Sequence, residues 1–235
     1  AGTAPTTRTM FPIASVTKMI AAAAAMILVD RGLVGLDTPF VRYVPEFRMA
    51  SPEHVNITVR MLLSHASGLP GDDEPNGSTL TPLPGHARRV LAGLAERRLK
   101  HLPGEMAVYC NDGFTLIELL VQAVAGKPFV DFVRDELLLP LGMTHSGFTT
   151  AAFEPGSYGP AFRADGTPWP LECLNVYASG GLYSTPEDMG RFARMLINGG
   201  MSGDHRVLSA ETVAEMATDQ TLSLALNPAT ENDCH

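Results

Sequence analysis

Apolar residues recur at helical spacing along most of the chain, and the alternation typical of strands is sparse. The period predicts helices at about 15–32, 58–65, 112–125, 129–140 and 185–200. Gly32 after the first helix is typical of a helix end, and Thr185-Pro186-Glu187-Asp188 is typical of a helix start. Strands are predicted over 181–184 and near 160–165. The segment 70–86 holds four prolines and three glycines, which predicts a surface loop.

Composition narrows the class of protein. With 235 residues, 45% of them apolar, the chain can bury a substantial core, and we expect one domain over 1–235. A net charge of −8 with scattered basic residues argues against nucleic-acid binding. Three dispersed cysteines, no His-Glu-x-x-His and no nucleotide-binding glycine loop lead us to expect no metal and no cofactor. The apolar run 19–29 is about half the length that spans a bilayer, and it lacks signal-peptide flanks, so it predicts a buried helix.

Ser15 and Lys18 are the first candidates for chemistry. They stand three residues apart at the predicted start of the first helix, so their side chains share one face. A lysine whose amine is made neutral by burial can take the proton of a serine hydroxyl and activate it as a nucleophile. The alternative is an ordinary polar pair at a helix start. A histidine-activated serine is disfavoured because the chain has no Gly-x-Ser-x-Gly.

Tyr109-Cys110-Asn111 precedes the amphipathic helix at 112–125. A tyrosine there can relay a proton to a leaving group, and an asparagine can hold a substrate carbonyl or orient a lysine. The alternative is that Tyr109 packs its ring while Asn111 or Asp112 caps the next helix.

Ser-x-x-Lys followed about ninety residues later by Tyr-x-Asn resembles the class C beta-lactamases and their relatives. These relatives include D-alanyl-D-alanine carboxypeptidases, beta-lactamase-fold esterases and D-amino-acid amidases. The likeness spans roughly residues 9 to 218. Its collinear landmarks are Phe11-Pro12-Ile13-Ala14, the segment 62–69, Pro103-Gly104-Glu105, the segment 140–143 and the segment 178–185.

The resemblance implies an α+β fold of the beta-lactamase/transpeptidase type, with its helical region at about 15–200. It implies that Ser15 is acylated, that Lys18 helps to deprotonate it, that Tyr109 is the general base or proton relay, and that Asn111 contacts the substrate amide. The Ser15 backbone N–H would supply one half of the oxyanion hole. The implied substrates are small esters, D-amino-acid amides or peptides, and beta-lactams, in a periplasmic or secreted setting.

His65, Gly180 and Gly181 lie inside the resembling segments, and we interpret them as structural. A lone histidine in a turn usually caps or packs. The two glycines are expected to allow close approach of backbone.

The sequence departs from the family at the wall of the pocket opposite Ser15. No Lys-Thr-Gly or His-Thr-Gly follows Tyr109, and the segment 203–206 is predicted to be a turn after the late helix. The family also has a helix and two strands before its serine. We therefore expect a chain truncated at both ends, whose antiparallel sheet is completed by a longer precursor or a second chain. A catalytically impaired fragment, or a penicillin-binding sensor module, is the alternative to an active hydrolase.

Overall fold

The computed structural model describes residues 4–71, 76–150, 153–154 and 156–221, together with the backbone of 225–226. Short 3₁₀ turns occur over 14–16, 40–42 and 52–56, and a π-helical turn continues α5 over 134–138. The α-helices of this part are α1 (Thr17–Asp30), α2 (Val59–Leu63), α3 (His86–Leu94), α4 (Asn111–Ala125), α5 (Phe129–Val133), α6 (Tyr177–Gly180), α7 (Pro186–Ile197) and α8 (Ala210–Ala217).

Every strand in the described part of the chain is two residues long. They are β1 (Phe11–Pro12), β2 (Ser78–Thr79), β3 (Met106–Ala107), β4 (Ala161–Phe162), β5 (Pro168–Trp169), β6 (Cys173–Leu174), β7 (Tyr183–Ser184), β8 (Met201–Ser202), β9 (His205–Arg206) and β10 (Ala225–Leu226). The pairs β1–β7, β2–β6, β4–β5 and β8–β9 are antiparallel, and β3–β10 is parallel. Among the described residues the strands pair only two at a time. Helices and short, mostly antiparallel sheets occur together, which confirms the α+β fold class.

Helix α1 lies at the centre of the core, with α4 and α6 packed against it. Its residues 23–25 are all alanine and fully buried, and the small side chains let neighbouring helices approach closely. A helix that is apolar on nearly every face is stable in water only when other elements cover it. Five phenylalanines are among the largest fully buried side chains of the core: Phe40, Phe47, Phe129, Phe132 and Phe192. None of the described helices combines the length and the apolar character needed to cross a membrane.

The helices predicted from periodicity are present, and among the described residues three others were missed: α3, the one-turn α6 and α8. Helix α3 begins after Gly85, which has a φ of 75° and no side chain that could cap the helix. The residues before it therefore lack the usual signal of a helix start, and α3 was not predicted. Helix α8 does carry a start signal, since the Ser209 side chain accepts a hydrogen bond from the Thr212 N–H. The predicted strand at 181–184 is shorter in the structure, because Gly181 ends α6.

Candidate active site

Ser15 lies in the tight turn that joins β1 to α1. Two hydrogen bonds to Leu182 hold this turn on either side of the serine. The Ile13 N–H donates to the Leu182 carbonyl over 3.0 Å, and the Leu182 N–H donates to Thr17 Oγ1 over 3.2 Å. Ala14 has a φ of 45°, an uncommon conformation for a residue with a Cβ, which marks a turn fixed by its surroundings. The Ser15 side chain is exposed and therefore accessible to a substrate.

Lys18 is buried one turn after Ser15, with only 7% of its surface exposed. Its Nζ donates hydrogen bonds to Ser15 Oγ (3.2 Å), Asn111 Oδ1 (2.8 Å) and the Ser179 carbonyl (2.6 Å). An ammonium group has three protons to donate, so these partners satisfy it and explain how a cation is tolerated there. The Tyr109 ring adds a cation–π contact, with Nζ 4.8 Å from its centroid.

Tyr109 lies between β3 and α4, and its hydroxyl oxygen is 2.7 Å from Ser15 Oγ. Asn111 is the first residue of α4. The residue before it, Cys110, occupies the capping position without a side-chain cap bond. The alternative in which Asn111 caps this helix is therefore wrong, because its side-chain oxygen is directed to Lys18. The structure thus brings Ser15, Lys18, Tyr109 and Asn111 into one hydrogen-bonded group.

The Ser179 carbonyl is the member of this group that the sequence did not single out. It belongs to the one-turn helix α6, whose last carbonyls have no partner within the helix and carry a partial negative charge. A backbone acceptor leaves no signature in a sequence, so only the fold could place it beside Lys18.

His65 packs as expected, and it packs against the site. Its ring centroid is 4.6 Å from that of Tyr109, at an interplanar angle of 35°, and 5.3 Å from that of Phe114. Burial, helped by the positive charge of Lys18, lowers the pKa of His65 from 6.5 to about 4. The imidazole is therefore neutral at neutral pH.

The two glycines of the segment 178–185 differ from each other. A Cβ on Gly181 would lie 2.8 Å from the Tyr177 Cα, so the expected close approach is confirmed there. At Gly180 a Cβ would meet its nearest atom at an ordinary 3.7 Å, so the same interpretation is wrong. In the part of the chain that the structure describes, no three His, Cys, Asp or Glu side chains gather as metal ligands.

This geometry defines a class of site: an exposed hydroxyl hydrogen-bonded at once to a lysine and to a tyrosine. A profile of the Beta-lactamase family matches residues 1–232. The chain belongs to the beta-lactamase family.

Among curated proteins, penicillin-binding protein 4 of Amycolatopsis lactamdurans is 31% identical over 92% of this chain and 58% of its own length. The D-alanyl-D-alanine-carboxypeptidase/endopeptidase AmpH of Escherichia coli K12 is 31% identical over 79% of this chain and 48% of its own. Among solved structures, the D-amino acid amidase of Ochrobactrum anthropi SV3 has a TM-score of 0.73 and 27% identity, covering 90% of this chain and 60% of that one. The chain thus spans about half to three fifths of the length of these proteins.

Proposed function

We propose that this chain is a serine hydrolase that forms an acyl-enzyme through Ser15. One observation carries the proposal: Ser15 Oγ is 2.7 Å from the Tyr109 hydroxyl and 3.2 Å from Lys18 Nζ. A serine hydroxyl is a weak nucleophile until a neighbouring base takes its proton, and here two candidate bases lie within hydrogen-bond distance.

Acylation begins when the Ser15 proton moves to Tyr109 Oη, which is deprotonated at that moment. The Lys18 ammonium, with Nζ 3.2 Å from Ser15 Oγ, helps by stabilising the negative charge. Oγ then attacks the acyl carbon and a tetrahedral intermediate forms. The Ser15 N–H is the proposed donor to its oxyanion. The intermediate collapses by breaking the bond to the leaving group, which takes a proton from Tyr109. This leaves an ester on Ser15.

Deacylation reverses these roles, with water as the nucleophile. Tyr109 takes a proton from the water molecule while the water oxygen adds to the ester carbon. Collapse of the second intermediate returns that proton to Ser15 Oγ and releases a carboxylic acid. Lys18 stays in place throughout, because Asn111 and the Ser179 carbonyl hold it at distances of 2.8 and 2.6 Å.

The proposed substrates are small acyl compounds: esters, D-amino-acid amides or peptides, and beta-lactams. The names of the relatives support the amide, peptide and penicillin members of this set, and the proposed Asn111 contact to a substrate amide agrees with them. Because Asn111 already accepts from Lys18, its amide NH₂ is the group that would donate to a substrate carbonyl. We favour an esterase or peptidase over a dedicated beta-lactamase.

A penicillin-binding module that is acylated without turnover is the second candidate. It is favoured by the name of one relative, penicillin-binding protein 4 of Amycolatopsis lactamdurans, which is 31% identical to this chain. Such a module would have the same nucleophile, so the two candidates differ only in the fate of the acyl group.

The test is hydrolysis of an activated short-chain ester and of a chromogenic cephalosporin by the full chain. We expect steady turnover of at least one of them, reduced about 10³-fold or more by Ser15→Ala and unchanged by Ser202→Ala, a serine on β8. A burst of one product per chain with no further turnover would support the acylated module instead. Equal activity of Ser15→Ala and wild type would refute both candidates.

A further inference from the structure

His65 holds the chain on both sides of Tyr109 as well as contacting the tyrosine ring. Its carbonyl accepts a hydrogen bond from the Val108 N–H over 2.9 Å. Its ring Nδ1 accepts one from the Cys110 N–H over 3.2 Å. Together with the ring contact at 4.6 Å, this gives one residue three attachments to the segment 108–110.

The conformation of His65 is fixed by its own element. It follows α2 with a φ of 60°, in the left-handed region that a residue with a Cβ seldom occupies. Helix α2 packs closely against α4. A Cβ added to Gly113 of α4 would lie only 3.2 Å from the carbonyl oxygen of Leu62 in α2. The imidazole is therefore placed by the packing of two helices, and Tyr109 is placed by the imidazole.

The bond from the Cys110 N–H requires a lone pair on Nδ1, so the ring must be neutral with its proton on Nε2. The lowered pKa of His65 agrees with this requirement. A neutral ring also avoids placing a second positive charge beside Lys18, whose ammonium lies over the same Tyr109 ring.

We propose that His65 is a positioning residue of the serine site, which fixes the Tyr109 hydroxyl on Ser15 through its ring contact and its two hydrogen bonds to the segment 108–110. The proposal rests on the acyl-enzyme function proposed above. A proton relay depends on distances near 2.7 Å, and a displacement of about 1 Å at such a group can slow a reaction about 100-fold. His65 does not contact the reacting atoms, so its effect passes entirely through Tyr109.

The test is the time course of labelling by a fluorophosphonate probe, in which Ser15 Oγ attacks phosphorus and fluoride leaves. The amplitude measures the fraction of folded, reactive chains, and the rate constant measures the reactivity of each site. For His65→Asn we expect a rate constant lower by about 10- to 100-fold at nearly full amplitude. Asparagine tolerates the left-handed conformation, so the backbone bond to Val108 is kept. The matched control is His205→Asn, on the exposed strand β9.

A second comparison separates positioning from general damage to the fold. In a Tyr109→Phe background, adding His65→Asn is expected to change the remaining rate constant by less than about twofold, since the group through which it acts is gone. If His65→Asn does not fold, His65→Gln replaces it. Loss of amplitude at an unchanged rate constant, or an equal loss of rate in both backgrounds, would overturn the inference. Absence of labelling in wild type would instead overturn the proposed function.

Discussion

Acidification is expected to destabilise this protein through His65. The folded state lowers the pKa of this imidazole from 6.5 to about 4, chiefly by burial and additionally through the charge of Lys18. Above about pH 6.5 the ring is neutral in both states and makes no pH-dependent contribution. As the pH falls towards 4, the unfolded chain binds a proton that the folded chain excludes, so stability decreases with falling pH.

The magnitude follows from the two pKa values. A tenfold difference in proton affinity is worth about 1.4 kcal/mol, so a fall from 6.5 to about 4 sets an upper limit of about 3 kcal/mol. Between about pH 7.5 and about pH 5 the expected loss is about 2 kcal/mol. Hydrogen bonds lower the pKa values of Asp37 and Glu46, so protonation of these two carboxylates also destabilises the folded protein on acidification. Both carboxylates are present in a His65 variant as well, so their contributions to the pH dependence cancel when wild type and variant are compared.

The assay is urea unfolding followed by far-UV circular dichroism, for wild type and His65→Asn at about pH 7.5 and about pH 5. The quantity of interest is the unfolding free energy of wild type minus that of the variant. This difference should be about 2 kcal/mol smaller at about pH 5 than at about pH 7.5. His205→Asn, on exposed β9, controls for replacing a histidine. A difference between wild type and His65→Asn that stays constant to within about 0.5 kcal/mol would refute the reasoning, because His65 would then titrate alike in both states.

Two further predictions concern the lysine and a glycine. Lys18→Met is expected to slow fluorophosphonate labelling by about 10²- to 10⁴-fold, whereas the exposed Lys100→Met should leave it unchanged; an unaltered rate for Lys18→Met would contradict the role of the amine. Gly68→Ala is expected to lower the thermal midpoint by several degrees, because its Cβ would lie 2.2 Å from the His101 carbonyl oxygen and its φ is 76°. Gly32→Ala is the matched control, since its φ is 68° and no atom lies within 4 Å of the added Cβ. Equal midpoints for the two glycine variants would show that the close approach costs nothing.

The sequence predicted the parts of the site that depend on spacing within one element. Ser15 and Lys18 lie three residues apart at a helix start, and this geometry alone places their side chains together. Tyr109 and Asn111 lie far away in sequence, and their proximity was inferred from resemblance to a family. In the structure, hydrogen bonds join the two pairs, and the catalytic roles of the four residues stay predictions.

The supporting contacts could not be predicted, for physical reasons. The Ser179 carbonyl holds Lys18 through backbone, which any residue would provide. The function of His65 depends on a left-handed turn and on contacts to a segment more than forty residues away, about which its own neighbours carry no information. Strands of two residues contain no alternation to detect, so pairings such as Phe11 with Ser184 emerge only from the fold.

The most direct test of the account is to find which residue of the full chain becomes covalently modified. A fluorophosphonate is incubated with wild type, Ser15→Ala and Ser202→Ala, and each sample is analysed by intact mass and peptide mapping. We predict one adduct per chain on Ser15, absent from Ser15→Ala and retained by Ser202→Ala. An adduct on another residue, or one that persists in Ser15→Ala, would contradict it.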